Sequence, residues 1–364
     1  MLFSFSLDRE KLFLKGVLIL KRKIITIILI VLIFVSNIFT FTFSIINSGK
    51  LIELRNLWIE TAMNTFHLKW LATSIFPQDI IDEVMNKKVE MVDSSATNTN
   101  KIEDTIKKEM KSEIFSLYEN KSRDELDFAG NPVYIVDNKQ RIAISNIYGE
   151  SYVGKIAIIE EPSRVFIGHT SKKDVVGNNI LTYLERYNAI LGVNASGFAD
   201  YDGVGDGGEI MGLSYSEGES WGTYIDTYNT IALDKDNKLI IGNISDWSNI
   251  RDGCQFNPAL ILNGEKQVEG SAGWGISPRT AIGQREDGAI LILTIDGRKP
   301  GYSLGATMED CANELLKYDV VNAAACDGGS STIMGYNGEI ITRCSSPQDG
   351  GRYLPNAILV KKIA

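Results

Sequence analysis

The first strong pattern along the chain is an uncharged apolar run. Residues 24–46 contain no Asp, Glu, Lys or Arg, and Lys21, Arg22 and Lys23 directly precede them. At about 1.5 Å per residue, such a helix reaches ~34 Å, enough to cross a hydrocarbon layer of roughly 30 Å. Because Lys/Arg-rich flanks stay in the cytoplasm, the pattern predicts a single-pass membrane anchor, with residues 1–23 inside and the bulk of the chain outside the cell. A cleaved signal peptide is the alternative, but it has a shorter apolar region of about 7–15 residues.

Residues 47–130 read as a juxtamembrane helical stalk and linker. Apolar residues recur at spacings of three to five between Leu51 and Leu71, which is typical of a helix. Pro77 ends that pattern, and a second short helix follows it. Residues 93–127 are polar and then charged, which indicates a linker or solvated helix that holds the next domain away from the membrane.

From residue 131 to residue 364 the pattern changes to short apolar runs and period-two alternation, bounded by Gly, Asn, Asp or Pro. Asn-Gly pairs at 263–264 and 337–338 and Asp-Gly at 287–288 predict hairpin turns. A helix is predicted over Ala306–Tyr318, and a weaker pattern predicts another over Asn179–Tyr187. The fold class is therefore α+β: a strand-rich mixed-sheet domain with few helices, behind the transmembrane helix and the helical stalk.

The net charge and the spacing of the cysteines make some binding partners and some cysteine sites less plausible. Six basic and two acidic residues give residues 1–46 a net charge of +4. The whole chain has a net charge of −9, so the other 318 residues carry −13. A domain this acidic has no broad surface for phosphate neutralisation, which disfavours nucleic-acid binding. The four cysteines lack C-x-x-C spacing, so a zinc knuckle is unsupported and free, buried thiols are favoured over disulfides. They are Cys254, Cys311, Cys326 and Cys344.

Candidate chemistry concentrates in four segments rich in Gly, Asp, Asn and Arg, which are residues 192–209, 273–283, 296–298 and 326–332. Carboxylates at strand ends can perform acid–base work, and arginines can hold an anionic group with paired N–H donors. Glycine lets backbone amides approach a ligand closely. The Asp-Gly pairs also have a plainer interpretation, because such pairs are usually turns. Asp287-Gly288, which lies outside these segments, is interpreted as a turn, and Asp296-Gly297-Arg298 is open to the same interpretation.

Metal and histidine chemistry have weaker support. The acidic, glycine-rich stretch 200–207 is similar to a calcium loop, but the fifth and twelfth EF-hand positions are Val204 and Met211. An EF-hand is therefore excluded, whereas another calcium site near Asp200–Asp206 stays open; no other cofactor is expected. A serine triad would need histidine, and His169, the one candidate in the outer domain, reads as a surface residue.

Five blocks of the sequence resemble the phosphodiester glycosidase family. They are VNASGF (193–198), ISPRTAIGQREDG (276–288), IDGR (295–298) with the following GYSLGATMEDCANELL, CDGGSST (326–332) and RYLPNAILV (352–360). The family is that of the uncovering enzyme, N-acetylglucosamine-1-phosphodiester alpha-N-acetylglucosaminidase, and of bacterial exopolysaccharide biosynthesis proteins. The likeness covers roughly residues 150–364, and the order and spacing of the blocks together make it specific.

The resemblance implies hydrolysis of a sugar-1-phosphodiester, in cell-envelope or exopolysaccharide metabolism. An oxocarbenium-like transition state asks for carboxylates on either side of the bond, and an anomeric phosphate asks for cations. The catalytic candidates are Asp327, Asp296 and Glu209, without a division into acid and base. The substrate-binding candidates are Asn194, Gly197, Phe198, Asp200, Arg279, Arg298, Gly328, Gly329 and Ser330. We expect Asp327, Asp296, Arg279 and Arg298 to converge in one pocket.

Two other functions compete with this hypothesis. A non-catalytic, membrane-tethered glycan-binding protein for polysaccharide assembly or export would tolerate the glycine-rich segments, but it would not need paired acids and arginines. A calcium-dependent structural protein is supported only by the 200–209 loop. The expected partners are a glycan or sugar-phosphate substrate and the cell membrane, with no nucleic acid.

Overall fold

The computed structural model describes residues 21, 25–26, 28–30, 32–33, 36–37, 40, 51–65, 67–86, 97–102, 113–200, 205–244 and 246–364. Two compact units partition the chain, Met1–Asn56 and Leu57–Ala364. The predicted anchor, residues 24–46, lies largely outside the described residues. Among the residues that are described, no helix combines the length and the apolar character that crossing a bilayer requires. The anchor and the predicted domain limits stay predictions.

Three antiparallel sheets form the framework of the second unit. The first contains eight strands in the order β1-β2-β3-β14-β13-β15-β11-β12, the second runs β7-β6-β10-β8-β9, and the third runs β17-β16-β5-β18-β4. The strands are β1 (Val133–Asp137), β2 (Ile142–Tyr148), β3 (Val153–Ile159), β4 (Val165–His169), β5 (Ala189–Asn194), β6 (Ser214–Ser216), β7 (Glu219–Trp221), β8 (Asn229–Asp234), β9 (Leu239–Gly242), β10 (Ile250–Phe256), β11 (Ala259–Leu262), β12 (Glu265–Lys266), β13 (Arg279–Arg285), β14 (Ile290–Ile295), β15 (Val320–Cys326), β16 (Met334–Tyr336), β17 (Glu339–Ile340) and β18 (Asn356–Lys361).

The strand-rich α+β class is confirmed, but the sheet is not mixed. Each strand pair in the described part of the chain is antiparallel. The three predicted turns are also confirmed: residues 263–264 join β11 to β12, 287–288 join β13 to β14, and 337–338 join β16 to β17. Asn263 and Asn337 have φ of 56° and 50°, the left-handed conformation that a type I′ turn requires at its first central residue.

Helices are few in the described part of the chain, and both predicted for the outer domain are present. They are α1 (Ile52–Met63), α2 (Trp70–Thr73), α3 (Gln78–Met85), α4 (Glu113–Ser116), α5 (Ile180–Arg186) and α6 (Met308–Leu316). A capping box starts α6: the Thr307 hydroxyl accepts from the Asp310 N–H, and the Asp310 carboxylate accepts from the Thr307 N–H. Asn179 caps α5 through the Thr182 N–H. Short polar side chains thus fix both helix starts.

Part of the predicted stalk belongs to the folded domain. Ile114, Phe115 and Tyr118 are buried in the main apolar core, together with side chains of the eight-stranded sheet and of α6. The Asn98 N–H donates to the Asn263 side chain over 2.8 Å. The solvated linker expected between residues 93 and 127 is therefore wrong for these residues, because moving the side chains of Ile114, Phe115 and Tyr118 from water into this core lowers the free energy of the protein.

The three sheets meet where β5, β10 and β15 end and β13 begins. Those strand ends carry Asn194, Phe256, Cys326 and Arg279 respectively. The loops that leave them contain three of the four glycine- and aspartate-rich segments. The topology therefore gathers segments that are far apart in sequence at one edge of the fold.

Candidate active site

An open cleft of about 640 Å³ lies at this edge. A volume of that size suits a small-molecule or disaccharide-sized ligand. Its walls combine arginines and carboxylates with a group of aromatic side chains. The lining residues are Asn64, Gly197, Phe198, Ala199, Asp200, Glu209, Met211, Tyr228, Phe256, Trp274, Ser277, Arg279, Arg298, Asp327, Gly328, Gly329, Ser330, Ser331 and Arg352.

Asp327 is the most enclosed carboxylate of the cleft. Its backbone is fixed from two sides: the Asp327 N–H donates to the Ala195 carbonyl over 2.8 Å, and the Asn194 side-chain amide donates to the Asp327 carbonyl over 2.5 Å. Burial raises the pKa of the Asp327 carboxyl to about 6, although hydrogen bonds from Ser331 and the Gly328 N–H oppose that rise. A carboxyl with a pKa of about 6 can exchange a proton near neutral pH, as acid–base catalysis requires.

Arg279 is held in place by backbone carbonyls. Its Nε donates to the Ala306 carbonyl over 3.0 Å, and its Nη2 donates to the carbonyls of Trp274 and Gly275 over 2.9 and 2.5 Å. Burial lowers the pKa of Arg279 to about 10, so the guanidinium keeps its charge at neutral pH. These three bonds leave Nη1 as the donor available to a ligand.

Arg298 approaches the same loop from β14. It has a φ of 57°, a left-handed conformation that turns the chain after the strand. Its Nη2 donates to the Ser277 hydroxyl over 3.3 Å. A Cβ on Gly329 would lie 3.1 Å from the Arg298 Nη2, so a glycine at 329 lets the guanidinium lie against the 328–330 backbone. Burial lowers the pKa of Arg298, and the Asp327 charge opposes that effect.

Arg352 is the third cation of the cleft. It donates from Nη1 to the Ser330 hydroxyl over 2.9 Å and from Nη2 to the Asp200 carboxylate over 2.8 Å. Its guanidinium also lies 4.9 Å from the centroid of the Phe198 ring. Arg352 thus connects Ser330 to Asp200, and the Asp200 carboxylate neutralises much of its charge.

Aromatic rings form another part of the wall. The ring of Phe256 has its centroid 6.2 Å from that of Tyr228 and 5.6 Å from that of Trp274. Met211 lines the cleft as well. Sugars present apolar C–H faces to such rings and hydroxyls to polar groups, so the wall is suited to carbohydrate.

Most predicted site residues line this cleft, but two do not. Those brought together are Gly197, Phe198, Asp200, Glu209, Arg279, Arg298, Asp327, Gly328, Gly329 and Ser330. Asp296 lies outside it, and its carboxylate accepts hydrogen bonds from the Tyr302 hydroxyl and the Arg343 N–H. The expected convergence is therefore wrong for Asp296, which directly follows β14.

Asn194 is also misplaced as a substrate-binding residue. It is fully buried; its Oδ1 accepts from the Thr280 hydroxyl and the Ile333 N–H, and its amide holds the Asp327 carbonyl. The Asn194 side chain therefore helps to position Asp327 through the Asp327 backbone carbonyl. Its contribution to the cleft is indirect.

The remaining predictions concern calcium, histidine and cysteine. Residues 201–204 lie outside the described residues; of the flanking acids, Asp200 binds Arg352, and Asp206 accepts from the Gly208 N–H. No cluster of three or more His, Cys, Asp or Glu suited to a metal ion occurs among the described residues. His169 is buried, not at the surface, and its Nε2 lies 2.9 Å from the Ser214 hydroxyl; burial lowers its pKa to about 4. The four cysteines are free, and three of them are buried.

Sequence reasoning missed Arg352, the aromatic wall and Asn64. Arg352 opens the block RYLPNAILV, which carried the family resemblance but had no assigned role. Tyr228, Phe256 and Trp274 come from three separate segments, and no spacing within one segment marks them. Asn64 follows α1, which was interpreted as a stalk.

Comparison with known proteins agrees with the sequence blocks. The model of the phosphodiester glycosidase family matches residues 187–361. The SPbeta prophage-derived uncharacterized protein YomE of Bacillus subtilis is 27% identical over 200 residues, which are 51% of this chain and 29% of that protein. The N-acetylglucosamine-1-phosphodiester alpha-N-acetylglucosaminidase of Bos taurus is 40% identical over 74 residues, 20% of this chain and 13% of the enzyme.

A solved structure extends the likeness to the fold. The catalytic domain of the zebrafish N-acetylglucosamine-1-phosphodiester alpha-N-acetylglucosaminidase, auto-inhibited by its pro-peptide, superposes with a TM-score of 0.50 at 18% identity, over 61% of this chain and 82% of that one. This chain spans less than a third of the length of the two curated relatives above. The resemblance seen in the sequence is confirmed: residues 187–361 match the model of the phosphodiester glycosidase family.

Proposed function

We propose that the protein hydrolyses a sugar-1-phosphodiester, cleaving the bond between the anomeric carbon and the phosphate oxygen. The observation that carries the proposal is the meeting of Asp327 with Arg279 and Arg298 in one cleft that also has an aromatic wall. The family match supports the same reaction class. Water is the second substrate, and the products are a free sugar and a phosphomonoester.

The cations suit a phosphodiester rather than a neutral glycoside. Arg279 offers Nη1, because carbonyls occupy its other donors, and Arg298 lies beside the 328–330 backbone. Arginine donors hold phosphate oxygens in defined directions. As the C–O bond breaks, the departing phosphomonoester gains negative charge, and fixed cations at that position stabilise the transition state more than the ground state.

Asp327 is the group proposed to act on the sugar side. A phosphate is a good leaving group and needs little protonation, so the ionised form of Asp327 is assigned to the reaction, as base for the attacking water or as the group facing the anomeric carbon. Glu209, at the rim, is the second carboxylate of the cleft. The ring of the sugar would lie against Trp274 and Phe256.

The cellular setting is part of the proposal. The uncharged run 24–46 behind Lys21, Arg22 and Lys23 supports a single-pass anchor with the catalytic domain outside the cell. The substrate there would be a phosphodiester-linked glycan of the cell envelope or of an exopolysaccharide.

The decisive experiment compares two substrates by the free reducing sugar that each releases, because cleavage at the anomeric carbon leaves the aryl group of the phosphodiester on the phosphate. The full chain, purified in detergent, is incubated with an aryl-phosphodiester of a sugar and with the simple aryl glycoside of the same sugar. We expect turnover of the phosphodiester and little of the glycoside. Arg298→Gln should reduce kcat/KM for the phosphodiester about 100-fold, the range of one lost transition-state donor, while Arg285→Gln, a substitution outside the cleft, serves as the control.

Two results would contradict the proposal. Glycan binding without any turnover by the wild-type protein would favour a non-catalytic glycan-binding protein. Equal turnover of both substrates would remove the role assigned to the arginines.

A further inference from the structure

The turn at the end of α1 contacts the loop that shapes one side of the cleft. Asn64 lines the cleft itself, and its Nδ2 donates to the Gly273 carbonyl over 3.0 Å. The Thr61 hydroxyl accepts from the Ile276 N–H over 2.9 Å, and the Ser271 hydroxyl donates to the Glu60 carboxylate. Three hydrogen bonds therefore fasten residues 271–276 to the end of this helix and the turn that follows it.

The fit between helix and loop is close at the backbone. Gly275 has a φ of 62°, and a Cβ there would lie 2.4 Å from the Thr61 N and 2.5 Å from its Cα. A side chain would thus collide with helix backbone, which cannot move as a flexible side chain can. The loop and the helix end form one packed unit.

The same loop positions two groups of the cleft. The carbonyls of Trp274 and Gly275 accept from the Arg279 Nη2, and the Trp274 ring stands next to Phe256 in the aromatic wall. A shift of residues 274–276 would move the ring and would also release one end of Arg279. The position of both groups depends on what holds the loop.

We propose that Thr61 and Glu60 are positioning residues of the cleft, and that Asn64 is a specificity-determining residue that contacts the bound sugar. The inference rests on the proposed function, and it places part of the site more than 120 residues before the family-matched segment 187–361. Within the described part of the chain, both side-chain hydrogen bonds of Asn64 use Nδ2, which donates to the Glu60 and Gly273 carbonyls. Its Oδ1 is then the atom that can accept a hydrogen bond from a sugar hydroxyl at the rim.

The test uses matched substitutions in the full-length protein. Thr61→Val removes the acceptor for the Ile276 N–H, and Thr61→Ser keeps it. Thr65→Val is the control, because the Thr65 hydroxyl donates to the Thr61 carbonyl of the same segment over 2.9 Å. We expect Thr61→Val to raise KM for the sugar phosphodiester about tenfold, as for one lost hydrogen bond, with a smaller change in kcat. Thr61→Ser should restore the wild-type KM, and Thr65→Val should stay within twofold.

Asn64→Ala sharpens the specificity claim. We expect it to raise KM several-fold more for a sugar that bears the contacted hydroxyl than for the corresponding deoxy sugar, because the lost contact with the Gly273 carbonyl affects both sugars alike. An equal effect on all deoxy analogues would overturn the assignment of Asn64.

A second measurement separates this inference from the proposed reaction. Hydrogen exchange of the peptide covering 271–276 should be faster in Thr61→Val than in Thr65→Val, and the affinity for inorganic phosphate, a probe of Arg279, should fall with it. If the wild-type protein hydrolyses no phosphodiester, the proposed reaction fails, yet the exchange and phosphate data still decide the role of Thr61. Identical exchange and phosphate binding in the two variants would overturn the inference.

Discussion

Two aspartates that directly follow buried strands of the same sheet have opposite environments. Asp296 follows β14 and Asp327 follows β15, each is followed by glycine, and β13 lies between the two strands. Asp327 faces the cleft and its arginines. Asp296 is enclosed by the Tyr302 hydroxyl and the Arg343 N–H.

The pairing register explains the difference. Across β13, Arg279 pairs with Ile295 and Thr280 pairs with Cys326. Opposed residues share a face of the sheet, and successive residues alternate. Continued by one residue, the register puts Asp327 opposite Arg279 on the cleft face, whereas Asp296, one step beyond Ile295, takes the other face. One residue of register therefore separates a candidate catalytic group from a structural one.

The largest expected effect is on activity. Asp327→Asn keeps the shape of the side chain but removes its charge, so kcat/KM for the sugar phosphodiester should fall by about 10²–10⁴. Asp296→Asn should change kcat/KM less than tenfold, because its carboxylate does not reach the cleft. Steady-state kinetics on both purified variants, with melting temperatures as a check on folding, make the comparison. Equal losses would mean that register does not separate the two roles.

A smaller effect is expected in the dependence of kcat/KM on pH. Burial raises the pKa of Asp327 to about 6, and the ionised form is assigned to the reaction. The value of kcat/KM should then fall about tenfold per pH unit below the pKa and be level above it. Glu209→Gln should keep this inflection. A profile that instead falls as pH rises through 6 would assign Asp327 as a proton donor.

The smallest expected effect is on the free energy of unfolding, which Asp327→Asn should raise and Asp296→Ala should lower. Because the pKa of Asp327 is higher in the folded than in the unfolded chain, folding is favoured below the unfolded value of about 3.9 and this contribution is lost as pH rises through about 6. Asp327→Asn should therefore stabilise the protein at pH 7.5 by about 1–3 kcal/mol, with the gain shrinking toward pH 4.

Asp296→Ala should destabilise instead. It leaves the Tyr302 hydroxyl and the Arg343 N–H without their acceptor, at a cost of about 1–3 kcal/mol. Urea unfolding of both variants at pH 7.5 and pH 4 measures the two signs. A loss of stability in Asp327→Asn at pH 7.5 would argue against a strained, buried charge in the cleft.

Local sequence patterns were sufficient to predict the strands, the hairpins and the loops that contain the candidate site residues. The Asp287-Gly288 turn predicted the β13–β14 hairpin, and the glycine-rich segments predicted Asp327, Arg279 and Arg298. The turn alone did not give the length of the loop between the strands, and a single residue more or less would have moved Asp296 to the cleft face. The sequence pattern therefore could not predict on which face of the sheet the Asp296 side chain lies.

Long-range packing decided the rest. The aromatic wall combines Tyr228, Phe256 and Trp274, whose proximity depends on how the sheets pack rather than on any spacing. The interpretation of residues 47–130 as a stalk failed at Asn64 for a related reason: an amphipathic helix pattern shows that one face is covered but does not identify what covers it.

The three carbonyls around Arg279 have a consequence for affinity. A long, flexible side chain that becomes ordered only when a ligand arrives weakens binding by about 0.5–1.5 kcal/mol. Arg279 is already ordered by Ala306, Trp274 and Gly275, so its conformational entropy is lost during folding and not during association. Arg279 therefore offers a donor that needs no further ordering when the proposed phosphodiester binds.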